Sequence, residues 1–226
     1  MTINNTNSNE LVILLHGIAL NKSTMWLLTR QLKKQGYTTL ALTYPSTRLT
    51  IDGIADWLVN EHLTSELWAQ YDKIHFVTHS MGGLVARHTL SKFREIFPEN
   101  KIGRLVMIGP PNSGSELADF LEHFPPYRWV FGPAGKELTT HHRQAMTDDI
   151  YYEVGVIAGS AKWLYPLSCI FIRGEHDGRV SVESTKLSGM KDHIVLRSSH
   201  TIMIYRAKIA KQVIQFLKHG EFQHDA

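Results

Sequence analysis

Only one cysteine, Cys169, occurs in the 226 residues, so no disulfide can form within the chain. It stands in the apolar stretch Leu167–Ile172 and reads as a small buried apolar side chain rather than a reactive thiol. No cysteine pair and no His-Glu-x-x-His accompany the 13 histidines, so the usual zinc patterns are excluded and neither a metal nor a cofactor is expected. Lys and Arg form no run and the formal net charge is only +3, so nucleic acid is not an expected partner. Long hydrophobic runs are missing as well. The first apolar run, Leu11–Leu15, is far too short to cross a bilayer. The polar start, Met1 to Asn9, lacks the basic and apolar regions of a signal peptide, and a cytoplasmic location is expected.

What is present fits one globular domain. Hydrophobic residues make up 43% and charged residues 20% of a chain long enough to bury a core without disulfide or metal. Residues 1–9 read as a poorly ordered tail and residues 10–226 as the domain. Short apolar runs alternate with amphipathic segments, which predicts an α/β fold with a mainly parallel sheet and helices on both faces. Strands are expected at Leu11–Leu15, Tyr37–Thr43, Lys73–Thr78, Arg104–Ile108, Val154–Ala158 and His193–Leu196. Helices are expected at Ser23–Gln35 with Gly36 closing its end, at Ile51–Trp68, at Met81–Phe97, and before Gly220. Residues 115–152, with Phe120, Tyr127, Trp129 and Phe131 among several prolines, hold no clean period and read as an irregular helical cap.

The stretch Ile74-His75-Phe76-Val77-Thr78-His79-Ser80-Met81-Gly82-Gly83-Leu84-Val85 carries the chemistry. An apolar strand enters a helix through a tight turn holding a serine followed by glycines, the pattern of a nucleophile elbow. That turn lifts Ser80 clear of the sheet and sets it at a helix N-terminus, where backbone N–H groups meet developing negative charge. Thr78 stands where the usual Gly-x-Ser-x-Gly pattern has its first glycine. The oxyanion donors are expected to be the N–H of Met81 and that of Ile18, in the loop His16-Gly17-Ile18 after the first strand. The ring of His16 is expected to hold this loop. A serine needs a base, and the base needs an orienting acid; where the serine stands on a nucleophile elbow the chain order is Ser, Asp or Glu, His. His200 follows the last strand and precedes a helix, where the base belongs. Asp177, in Gly174-Glu175-His176-Asp177-Gly178-Arg179, is the expected acid, with Glu175 as its main rival. Asp192 should lie at the wrong end of the sheet, and Asp148 and Asp149 read as solvated or capping.

With these pieces the chain resembles bacterial α/β-hydrolases of the lipase and esterase type. The resemblance rests on Leu14-Leu15-His16-Gly17, Val77–Arg87, Gly109–Ser115, Asp177–Val182 and His200-Thr201, in the family's order across most of the chain. It implies the α/β-hydrolase fold and cleavage of a carboxylic ester through an acyl-enzyme on Ser80, acting on a small-molecule ester or lipid. Thioester cleavage, acyl transfer to another acceptor and a non-catalytic binding role on the same fold remain open. Substrate contacts are expected from His16, Gly17, Ser113, Gly114, Tyr127 and Trp129.

Overall fold

A computed structural model describes residues 9–121, 125–141, 148–170 and 172–224. Six strands, β1 (Glu10–Leu15), β2 (Thr38–Leu42), β3 (Lys73–His79), β4 (Ile102–Ile108), β5 (Val154–Gly159) and β6 (Asp192–Leu196), form one sheet in the order β2-β1-β3-β4-β5-β6. Every pairing is parallel. A parallel sheet needs crossovers, and those crossovers cover both of its faces. β1, β3 and β5 are accordingly almost wholly buried, whereas the edge strands β2 and β6 are only partly buried.

The period of two along each strand divides the core into two layers. Leu11, Ile13, Leu15 and Phe76 face α2 (Ile51–Glu61) and α4 (Met81–Lys92). Val12, Leu14, Val77 and Ile108 face α1 (Trp26–Lys34) and the C-terminal helix α8 (Ala207–His219), which buries Val213 and Phe216 against them. Gly220 ends α8 in the left-handed conformation, φ 76°. No described helix is long and apolar enough to cross a membrane.

Several expected elements come out differently. The helix expected over Ile51–Trp68 is two, α2 and α3 (Ser65–Gln70), because the Thr64 side chain accepts the Leu67 N–H and starts a new helix. Residues 22–25 are a 3-10 turn leading into α1. The helix after Ser80 stops at Lys92, short of Phe97. The cap contains α5 (Glu116–Leu121) and α6 (Pro125–Lys136), the latter broken at Gly132, φ 59°, and a one-turn helix α7 (Val182–Thr185) follows the loop bearing Asp177. Of the tail, residues 1–8 lie outside the described residues. Asn9 is held, its N–H donating to the Asp72 carboxylate at 3.0 Å.

Two single-residue expectations are overturned. Cys169 is exposed rather than buried, because Pro166–Ile170 is a 3-10 turn that points both it and Ile170 outward. Asp148 is not solvated. Its side chain is only 4% exposed and pairs with the buried Arg87 guanidinium at 2.7 Å.

Candidate active site

The sheet order reverses between β1 and β3, since β2 lies on one side of β1 and all later strands lie on the other. A crevice forms outside the C-terminal ends of strands at such a reversal. Leu15 and Thr78 are register partners there, so the loops His16-Gly17-Ile18 and His79-Ser80-Met81 emerge side by side.

Ser80 occupies the sharpest point of the chain. Its φ of 53° and ψ of −125° are strained for a residue with a side chain, at a cost on the order of 1–3 kcal/mol. Its N–H donates to Ile108 O at 2.8 Å and its C=O accepts from Gly83 N–H at 3.0 Å, which fixes the turn. Ser80 is the N-cap of α4, yet its hydroxyl makes no capping bond and stays available. Gly82 is required by close approach: a Cβ there would lie 2.6 Å from Leu15 O and 2.7 Å from His16 O. Thr78, the departure from the usual pattern, is absorbed. Its hydroxyl donates to Val106 O at 3.3 Å, and the missing side chain of Gly83 leaves room beside it.

Asp177 and His200 arrive from the loops beyond β5 and β6. His200 Nε2 lies 3.0 Å from Ser80 Oγ, and His200 Nδ1 lies 2.6 Å from Asp177 Oδ2. Asp177 is fully buried, and its Oδ1 accepts the backbone N–H groups of Arg179 and Val180, both at 2.9 Å. These bonds occupy both carboxylate oxygens and fix the plane that meets the imidazole. The His200 backbone is clamped as well. Its N–H donates to Asp177 O at 3.0 Å, and its C=O accepts from His79 Nε2 at 3.1 Å. With Nε2–H donating, the His79 ring is the neutral tautomer whose Nδ1 is buried without a hydrogen bond. Burial holds the His79 pKa well below the ordinary imidazole value, and the nearby His200 ring lowers it further.

The loop after β1 is stiffened by stacking. The His16 ring lies on Tyr44, centroids 4.3 Å apart, and its Nδ1–H donates to Gly17 O at 2.7 Å. Burial lowers the His16 pKa, so it too stays neutral. Ala19, at φ 56°, donates its N–H to Ser46 Oγ at 3.1 Å and completes the turn. Ile18 then lines a cavity of about 140 Å³ together with Ser80, His200, Phe131, Leu138 and Arg179. Met81, the first residue of α4, is fully buried beside Ser80. Its N–H belongs to the first helical turn, where amides lack an intrahelical acceptor.

The structure therefore brings Ser80, Asp177, His200, Ile18 and Met81 together. Glu175, the rival acid, is exposed. Asp192 sits at the start of β6 and accepts from Phe222 N–H at 2.7 Å, far along the strand from Ser80. The expected substrate contacts fare less well. His16 is 0% exposed and its ring is spent on Tyr44 and Gly17, so it holds the loop and cannot touch a ligand. Gly17 packs against Ser80, where a Cβ would lie 3.2 Å from the serine Cβ. Ser113 and Gly114 line a separate cavity of about 430 Å³ with Glu116 and Lys186. The side chains of Tyr127 and Trp129 lie outside the described residues. Four contributors were not singled out by sequence: the clamp His79, the cavity residues Tyr165 and Arg179, and Gly109. A Cβ on Gly109 would lie 3.3 Å from both Asp177 Oδ2 and His200 Nδ1. A glycine directly after the β4 run was a visible signal for the last of these; Tyr165 had none.

Comparison with known proteins places this geometry in context. A search of curated proteins finds no match by sequence. Among solved structures, the mature Bacillus licheniformis lipase BlEst2 superposes with a TM-score of 0.73 at 18% identity, covering 95% of this chain and 92% of that one. The metagenomic carboxyl esterase MGS0156 gives 0.65 at 17%, covering 88% and 66%. A lipase-esterase related protein from Clostridium acetobutylicum gives 0.62 at 15%, covering 96% and 98%. At these identities the likeness is one of fold. A family model described as the alpha/beta hydrolase family matches residues 12–182. That span runs from β1 through the loop bearing Asp177, and the chain belongs to the alpha/beta hydrolase family.

Proposed function

We propose that this chain is a serine hydrolase that cleaves carboxylic esters, with Ser80 as nucleophile, His200 as general base and Asp177 as the orienting acid. The observation that carries the reading is the continuous line from Ser80 Oγ to His200 Nε2 at 3.0 Å and from His200 Nδ1 to Asp177 Oδ2 at 2.6 Å. As Oγ attacks the ester carbonyl, Nε2 takes its proton, and the carbonyl oxygen becomes an oxyanion facing the N–H groups of Ile18 and Met81. Collapse expels the alcohol, which receives the proton from His200, and leaves an acyl-enzyme. Water then attacks the acyl carbon, giving its proton to the same nitrogen, and Ser80 departs with it as the acid is released. That the structural relatives include a lipase and a carboxyl esterase supports an ester as the substrate.

The cavity supports a short acyl group. At about 140 Å³ it is smaller than the roughly 300–1,000 Å³ of most small-molecule sites. Apolar Phe131 and Leu138 face that space. A panel of p-nitrophenyl esters of graded length tests both claims. Turnover is expected to favour butanoate over dodecanoate. Ser80→Ala should abolish it, and a fluorophosphonate probe should label the native protein at Ser80 and nowhere else. Wild-type turnover in the alanine variant would remove the basis of the reading.

A further inference from the structure

Arg179 brings a positive charge into the cavity that holds Ser80 and His200. The charge is unanswered. Arg179 Nε is buried without a hydrogen-bond partner, and among the described residues no carboxylate forms an ion pair with the guanidinium. Two acids lie close to Arg179, Asp177 two residues before it and Glu116 next to the Ser115 that donates to its C=O, and neither forms an ion pair with it. Asp177 spends Oδ2 on His200 and Oδ1 on two backbone amides. Glu116 accepts from Ser181 Oγ at 3.0 Å through Oε1 and lines the separate, larger cavity, and its Oε2, buried without a hydrogen-bond partner, forms no ion pair with the guanidinium.

The guanidinium is nevertheless positioned. Its carbon lies 5.2 Å from the centroid of the Tyr165 ring, and the Tyr165 hydroxyl is 2.5 Å from Thr201 Oγ1. The Arg179 backbone is tied at both ends, N–H to Asp177 Oδ1 and C=O to Ser115 Oγ at 2.8 Å. The preceding Gly178, at φ 101°, leaves the space that the Tyr165 ring fills. Stacking on an aromatic ring uses the face of the guanidinium and leaves its in-plane N–H donors unmet. A planar, permanently charged fork held in a small, mostly apolar cavity is suited to a carboxylate or phosphate oxygen.

We propose that the substrate carries an anionic group besides the scissile ester, and that Arg179 is the residue that binds it. The inference rests on the serine-hydrolase reading and narrows its substrate class. A neutral ester leaves the buried Arg179 Nε–H without an acceptor, whereas an anionic one supplies it, and a site built this way discriminates against the ligand that lacks the group.

The test compares charged and neutral esters of matched shape on the intact protein. On the acyl side the pair is mono-p-nitrophenyl glutarate and p-nitrophenyl pentanoate. On the alcohol side it is 4-(butanoyloxy)benzoate and 4-(butanoyloxy)benzamide. Each rate is divided by that ester's own alkaline hydrolysis rate. The anionic member of at least one pair is expected to show a kcat/KM about tenfold or more above its neutral partner. The pair that shows it tells which half of the substrate meets Arg179. The preference should shrink with added salt. Arg179→Met should bring the ratio to about one, and Arg179→Lys should retain part of it. Because the ratio is taken within each protein, it does not depend on how much of a variant folds. A ratio of one or less in both pairs for the native protein overturns the proposal, as does a preference that survives Arg179→Met. Neither outcome touches the hydrolase reading, which fails separately if neutral-ester turnover survives Ser80→Ala.

Discussion

Gly109 has no side chain, yet its absence is what lets the acid and the base approach over the end of β4. Two penalties follow from adding one methyl there. The residue sits at φ 59°, where an L side chain costs on the order of 1 kcal/mol. The new Cβ would also press at 3.3 Å on Asp177 Oδ2 and on two atoms of the His200 ring. The first penalty lowers stability, by a few degrees of melting temperature for a chain this size. The second shifts atoms whose spacing sets the proton transfer, and small misplacements of that kind cost rate steeply. Gly109→Ala is therefore expected to lower kcat on a short p-nitrophenyl ester about tenfold or more, beyond anything the loss of folded enzyme explains. Calorimetry and active-site titration with a fluorophosphonate separate the two effects. A full kcat per titrated site would show that the close packing is incidental. Residues of this type explain what was legible in sequence. Ser80 was readable because strand, turn and glycine-rich helix are contiguous. His16 holds its loop as its place after β1 suggests, but its expected substrate contact and the expected burial of Cys169 fail, because residue type does not tell which way a loop turns its side chains.

Among the helices, α4 does two things at once. Its N-terminus presents Ser80, and its far half is anchored by charge. Arg87 donates to Asp148 at 2.7 Å and to Asn112 Oδ1 at 3.0 Å, while His88 lies between Asp148 and Asp52, 3.1 Å from each. Lys92 closes the row onto Asp52 and Asp56. This cluster ties α4 to α2 and to the chain returning from the cap. The bond to Asp148 raises the His88 pKa above its ordinary value of 6.5; burial opposes this and Asp52 adds to it. For Asp148, burial alone pushes the pKa up, but His88 and Arg87 outweigh it and the net shift is downward. A histidine with a raised folded pKa gives its full stabilisation below 6.5 and loses it as pH rises through the folded value. The native melting temperature should therefore fall as pH rises above 6.5 through the folded value, and that fall should be shallower in His88→Gln. Equal slopes in the two proteins would show that the imidazole adds nothing here. The cluster is invisible along the chain, since Arg87 and Asp148 meet only through the fold.

At the scale of the whole molecule, alternation of apolar runs and amphipathic segments was enough to indicate a parallel sheet between helices, because each crossover leaves its own local period. Strand order was not accessible, since it depends on which way each crossover packs. The break between α2 and α3 was also missed, because Trp68 keeps the helical period past Thr64 while the capping hydroxyl ends one helix and begins another. The full set of histidines has a consequence that no one of them shows. Burial lowers the pKa of His16, His79, His176 and His193 below the ordinary 6.5, with His79 shifted farthest. Below pH 6.5 the unfolded chain takes up protons that these rings refuse while the protein is folded. Each such proton removes about 1.4 kcal/mol of stability per pH unit until the folded value is reached. His88 acts only on the alkaline side of 6.5, so the two effects occupy separate windows. Carboxylates weigh in only below about pH 5. Stability should therefore peak near the ordinary imidazole value and fall by about 1 kcal/mol between pH 6.5 and 5.5 from His79 alone, since the unfolded imidazole is half protonated at the start of that interval. Urea titrations at pH 5.5, 6.5 and 7.5 measure this directly. A flat or rising stability between 6.5 and 5.5 would mean that His79 accepts a proton within the fold, against its buried position beside His200.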